Sequence, residues 1–178
     1  MEFINPTVNT DLLPKAAGVN WQPLEQAYLK ALRIQLLIGS GIALAILIIV
    51  LFLAPISNLF LTALLAGGLW LIISVGTWFL QSISFKHKAF ALREHDILFR
   101  SGWLFRTIAV CPFNRVQHCA VSSGPIDRRF NLASLKVFTA GSAGDIMIPG
   151  LLQEKAFIIK EFLTQKIDSD EPAAESMD

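Results

Sequence analysis

Between Ile34 and Phe85 the chain contains no Asp, Glu, Lys, Arg or His. A helix on the surface of a soluble domain needs a charged or polar face, so this absence argues against an ordinary water-soluble fold here. Cysteine is scarce as well. Cys111 and Cys119 stand alone, with no CxxC and no spacing that suggests a disulfide framework or a zinc site. They are expected to be small buried or half-buried thiols in a reducing compartment. The three histidines, His87, His95 and His118, have no catalytic spacing to Ser122, Ser123, Cys111 or Cys119, so no nucleophile and base pair emerges. Gly141-Ser142-Ala143-Gly144 lacks the lysine and following helix of a phosphate-binding loop and has the composition of a hairpin turn. No catalytic residue, cofactor site or metal site is therefore expected.

What is present is apolar. Of 178 residues, 53% are hydrophobic, and the mean hydropathy is +0.54. Ile34 to Leu53 is long enough, at about 1.5 Å per helical residue, to cross a hydrocarbon core of about 30 Å. Pro55 ends it, Ala54 to Asn58 allows only a tight reversal, and Leu59 to Leu80 forms a second run. The sequence predicts a membrane hairpin over residues 21–83, with helices about 24–53 and 59–82. Gly67, Gly68 and Gly76 would let a neighbouring helix approach closely. A cleaved secretory leader fits poorly, because the first run begins late and no convincing small-residue cleavage site precedes the second.

Charge at the flanks sets the orientation. Lys30 and Arg33 precede the first run, Lys86, Lys88 and Arg93 follow the second, and the connecting turn is uncharged. By the bias of basic residues toward the inside, both termini should be cytoplasmic, in a bacterial inner membrane crossed twice. Trp21, Tyr28 and Trp78 would anchor the cytoplasmic boundary at headgroup depth. Residues 1–20 should be weakly ordered. Lys86 to Lys166 holds twelve bases against six acids, whereas Asp168 to Asp178 holds five acids and no base. The first block suits an anionic surface, and residues 168–178 should form a solvated acidic tail.

After Phe85 the pattern shifts to short runs of period two divided by turn residues, as in antiparallel β structure. Strands are predicted near Phe85 to Leu92, Asp96 to Ser101, Phe105 to Pro112, Arg115 to Ser122, Ala133 to Thr139 and Asp145 to Ile148. Pro149-Gly150 should end the last. A helical stripe of Leu152, Ala156, Ile159, Phe162, Leu163 and Ile167 then predicts a covering helix over Leu151 to Ile167. Phe99, Phe105, Phe113, Phe130 and Phe138 are expected in the core, and Trp103, following Gly102 at a hairpin, is expected to fill the end of the barrel, with a dip into headgroups as the alternative.

The order of several motifs is similar to that of the bacterial PH-like membrane proteins of the YdbS-like family. They are Trp21-Gln22-Pro23-Leu24 before a helical hairpin, Cys111-Pro112-Phe113-Asn114-Arg115-Val116-Gln117, Gly124-Pro125-Ile126-Asp127-Arg128-Arg129-Phe130-Asn131-Leu132, Thr139-Ala140-Gly141 and Ile148-Pro149-Gly150. Asn131 stands where that family usually has Gly, a position Asn accepts because it tolerates the left-handed conformation. The resemblance implies an α+β membrane protein: a two-helix transmembrane hairpin, then a PH-like antiparallel β barrel or sandwich over residues 84–167 with a C-terminal capping helix.

The function expected is that of a membrane-anchored adaptor or scaffold, associated with itself or with a second membrane protein such as a larger PH-like paralogue. The alternatives are a module for anionic lipid headgroups and an accessory subunit of a transport or stress-response complex. Lys86, Lys88, Arg93, Arg115, Arg128 and Arg129 are the candidate contacts with anionic lipid or a partner. Internal pairing of Arg128 or Arg129 is the competing reading. Nucleic acid is not expected, because aromatic interleaving is sparse and a bilayer would be the nearer polyanion.

Overall fold

Two uncharged runs become two helices of equal length. In the computed structural model, which describes residues 19–55, 57–140 and 144–170, a two-residue strand β1 (Gln22–Pro23) leads into α1 (Gln26–Leu53), and α2 (Leu59–Lys86) returns antiparallel to it. Both are long and apolar enough to cross a membrane, with 18-residue stretches of mean hydropathy 3.0 and 2.2 that the rest of the protein leaves uncovered. The second helix runs past the predicted end at residue 82 to Lys86, so the first predicted strand loses its opening residues to helix.

The two helices meet through polar groups rather than glycines. Ser40 and Ser74 hydroxyls lie 3.1 Å apart, and the Trp70 indole Nε1 donates to the Ser40 carbonyl at 3.2 Å. A β-carbon built at Gly67, Gly68 or Gly76 would meet nothing within 4 Å. The close approach those glycines permit is therefore not used between α1 and α2.

Two antiparallel sheets follow. The first has the order β1-β2-β3-β4, from β1, β2 (Ala89–Leu92), β3 (Asp96–Ser101) and β4 (Thr107–Pro112). The second, β5-β6-β7, contains β5 (Val116–Ser122), β6 (Leu132–Thr139) and β7 (Ile146–Leu152). A 3₁₀ turn at Phe113–Arg115 joins the sheets, and a short helix α3 (Pro125–Arg129) connects β5 to β6. The sheets form an open sandwich and do not close into a barrel.

The strands fall close to their predicted places, with one informative exception. Pro149-Gly150 lies inside β7, where the ladder steps from Leu135↔Ile148 to Ala133↔Leu151. Two residues of β7 thus face the single residue Ser134, a bulge that accommodates the missing amide of Pro149 on an edge strand. Gly150 takes φ +67 there. Asn131 has φ 53, the left-handed geometry expected of it.

The core lies between the sheets and under α4 (Gln153–Asp170), whose Ala156, Ile159 and Leu163 are buried against it. Phe90, Ile97, Cys111, Leu135, Ile148 and Leu151 are almost fully enclosed. Phe113 meets Phe162 edge to face, with ring centroids 5.9 Å apart. Leu152, predicted on the helical stripe, instead ends β7 and is exposed. The expectations for residues 1–18 and 171–178 lie outside the described residues.

Candidate functional site

The first two turns of α1 lie beside the domain rather than in the apolar run. Leu24, Tyr28 and Ala31, spaced to share one helix face, turn toward it, with Leu24 and Ala31 buried. The Tyr28 ring covers the bulge so closely that a β-carbon on Gly150 would come within 2.3 Å of its Cγ. The Glu25 amide donates to the Gly150 carbonyl at 3.2 Å. Tyr28 also stands 6.3 Å from the Phe85 ring of α2, with the Lys88 ammonium 5.9 Å from its own centroid. Domain and helices are thus joined by packing on three elements, not only by chain continuity.

The proposed anchors have protein partners. The Trp21 ring lies under the Arg100 guanidinium at 4.8 Å, and the Trp78 ring faces Arg33 at 5.1 Å. Arg33 also donates to the Ser82 hydroxyl at 3.4 Å, tying α1 to α2 at the level where charge first appears. Sequence reasoning did not single out Arg33 or Arg100 as partners of these rings, because the pairing crosses elements.

The six candidate cations separate into two groups. Lys86 and Lys88 stand at the end of α2, and Arg128 and Arg129 lie exposed on α3, which packs against α1. Asp127 accepts from the Gly124 amide at 3.4 Å, leaving both neighbouring arginines without an ion pair among the described residues. Arg93 and Arg115 stand elsewhere. Arg93 makes a two-point ion pair with Asp96, one bond of 2.6 Å, at the turn between β2 and β3. Arg115 precedes the end of β5 opposite α3. Burial lowers the Lys88 amine from its ordinary value.

Two patches of exposed apolar side chains lie near the helix ends. On α4 and the end of β7, Leu152, Phe157 and Ile158 are exposed beside a shallow cavity of about 430 Å³ that Asn131, Gln153 and Glu154 also line. Lys155 links this region to β1 by donating to the Gln22 side-chain oxygen at 2.8 Å. The second patch is the β3–β4 turn. Trp103, expected to pack, is 40% exposed, and Phe105, expected in the core, is 83% exposed, with Leu104 between them at 67%. The register explains the discrepancy: Ser101 pairs with Thr107, so residues 102–106 form the tip of a hairpin and not a strand over the core. Three successive apolar residues after a hairpin glycine were the available signal.

No arrangement for catalysis emerges among the described residues. Among the described residues no group of three His, Cys, Asp or Glu is placed to hold a metal. His118 stacks on Phe138, with centroids 4.1 Å apart, and burial raises both thiols above their ordinary range.

A hairpin of apolar helices packed against a two-sheet domain with one covering helix defines a membrane-anchored protein of PH-like architecture. Residues 31–167 match the family model for the bacterial PH domain, and the chain belongs to that family. It is also 32% identical over 100 residues to the UPF0699 transmembrane protein YdbS of Bacillus subtilis (strain 168). That match covers 56% of this chain and 62% of the relative. No solved structure matches it. The protein is accordingly a transmembrane protein with a membrane-associated role.

Proposed function

We propose that this protein is a non-enzymatic scaffold that holds its PH-like domain at the cytoplasmic face of the bacterial inner membrane and assembles with a second membrane protein. Both chain ends are cytoplasmic in this reading, supported by Lys30, Arg33, Lys86 and Lys88 at the domain side of the helices and by the uncharged turn at the other. The partner is a larger PH-like paralogue or another copy of the chain.

The observation that carries the proposal is the exposed patch of Leu152, Phe157 and Ile158 beside α3 and the start of α1. Apolar side chains grouped next to the hairpin suit a partner that is itself in the membrane. Glu154 in the same cavity favours a protein over an anionic bilayer. A photo-crosslinking residue replacing Phe157 should couple, in native membranes, to one membrane protein or to a second copy. Crosslinks to lipid alone would reject the scaffold.

Recognition of anionic headgroups by Lys86, Arg128 and Arg129 is the second reading, favoured by their exposure beside the helix ends. An accessory role in a transport or stress-response complex is a special case of the first, distinguished by the identity of the crosslinked partner.

A further inference from the structure

The turn between β3 and β4 is built to hold apolar side chains outward. Gly102 has φ +87, and a β-carbon there would lie 1.8 Å from the Phe105 carbonyl oxygen, so only glycine lets the backbone fold back this tightly. The turn then presents Trp103, Leu104 and Phe105 in succession to solvent. Arg106 follows them, also exposed. An apolar tip followed by a cation is the kind of exposed patch that marks a protein or membrane contact.

The strand register says what is near. Pro23, Ala89, Arg100 and Ile108 form one row across the first sheet. Pro23 is three residues before α1 begins at Gln26, and Ala89 is three residues after α2 ends at Lys86. An extended chain of three residues spans at most about 10 Å, so the row is held close to the domain-side ends of both helices. Beyond this row the sheet continues only through the pair Ser101↔Thr107 and then the tip. Because β2 leaves α2 at Ala89 and β3 runs antiparallel to it, the tip projects back past Ala89 toward the helices, by about 7 to 10 Å at some 3.3 Å per residue.

Depth follows from the helices. From Gln26 to Ile34, where the uncharged run begins, is eight residues, or about 12 Å. The headgroup layer occupies about 5 to 7 Å of that height on each side of the hydrocarbon. A tip that returns about 7 to 10 Å from a row near the helix ends therefore comes to headgroup depth.

We propose that Trp103, Leu104 and Phe105 form a lipid-inserting wedge that enters the interfacial layer of the same bilayer the hairpin spans, with Arg106 meeting phosphate. The wedge is separate from the α4 patch and does not depend on the scaffold partner. It fixes the domain at a third point besides the two helices, and so sets which face of the sandwich looks away from the membrane. Trp suits this depth, because its ring is apolar and its N–H can bond headgroup or water.

The test uses the full chain reconstituted alone in vesicles of mixed zwitterionic and anionic phospholipid. A nitroxide is attached to a single cysteine in a Cys111→Ser, Cys119→Ser background, once at Leu104→Cys, once at Phe105→Cys and once at Glu94→Cys. The Glu94 position lies in the β2–β3 turn, at the opposite end of the sheet. Relaxation by oxygen, which concentrates in lipid, should exceed relaxation by a water-soluble nickel chelate at positions 104 and 105, with the order reversed at 94. Positions 104 and 105 behaving like 94 would overturn the wedge. Protection from both reagents that disappears as the protein is diluted with lipid would overturn it in favour of self-association. Since the labelled side chains are exposed, an unchanged thermal transition of the labelled chains confirms that the comparison is made on folded protein.

Discussion

Cys119 sits half-buried on β5 with Cys111 nearby, and its thiol is pushed up to about 11, first by burial, then by Cys111, against a smaller opposing effect of Lys160. A raised folded value means that the unfolded chain ionises first, near 9.0, while the folded one holds its proton. The stability linked to this group is therefore complete below about pH 9 and is lost as pH rises from there through about pH 11. In detergent, the denaturation midpoint should fall across that interval, and the fall should be shallower in Cys119→Ser. Equal slopes in the two proteins would show that the thiol is not linked to folding. The same burial disfavours the thiolate of both cysteines. Sequence spacing already suggested buried or half-buried, unpaired thiols, because the two cysteines have no partner motif. It could not place Phe105 or Trp103, whose burial depends on whether the chain has already turned.

At the scale of elements, the contact between α1 and the β7 bulge decides how the hairpin holds the domain. Gly150 is strained for any other residue twice over, by φ +67 and by the Tyr28 ring. Gly150→Ala should destabilise the domain by at least about 1 to 2 kcal/mol from the backbone alone, with the clash added. In Gly150→Ala with Tyr28→Ala the ring contacts disappear, while the contact with the β-carbon of residue 28, at 2.7 Å, and the backbone cost stay. Thermal unfolding of the four proteins of this cycle, in detergent, should give a clearly non-additive result. Additivity would mean that Tyr28 and Gly150 do not share a site. The Pro-Gly pair has the sequence signature of a strand end, and only the ladder on β6 shows that the strand resumes after the bulge. Helix α3 was equally invisible, since Pro125–Arg129 has the length and composition of a turn. The helical hairpin, by contrast, was legible to within four residues at its helix ends, because hydrocarbon imposes both a length and the exclusion of charge.

For the whole molecule, charge is divided by position more than by total. Lys86, Arg128 and Arg129 are exposed near the helix ends, whereas Arg93 is neutralised by Asp96 at the far turn. Near an anionic leaflet each base contributes about 1 kcal/mol, so replacing these three with Ser removes about 3 kcal/mol of attraction. In the full chain reconstituted in anionic vesicles, amide exchange over α3 should be slower than in neutral vesicles, and added salt should erase the difference. The triple substitution should erase it as well, while Arg93→Ser should leave it intact. Slow exchange that survives the triple substitution would assign protection to protein packing.

Sequence alone determined the hairpin, the short antiparallel strands and the covering helix, because each follows from a local property: hydropathy over a bilayer's thickness, period two or period 3.6. The tertiary structure decided which cations stand together, that Trp21 and Trp78 lie against arginines, and that three apolar residues stand outward on a hairpin tip. Those depend on strand register and on contacts between residues far apart in the chain, where a shift of one residue exchanges the buried and exposed faces.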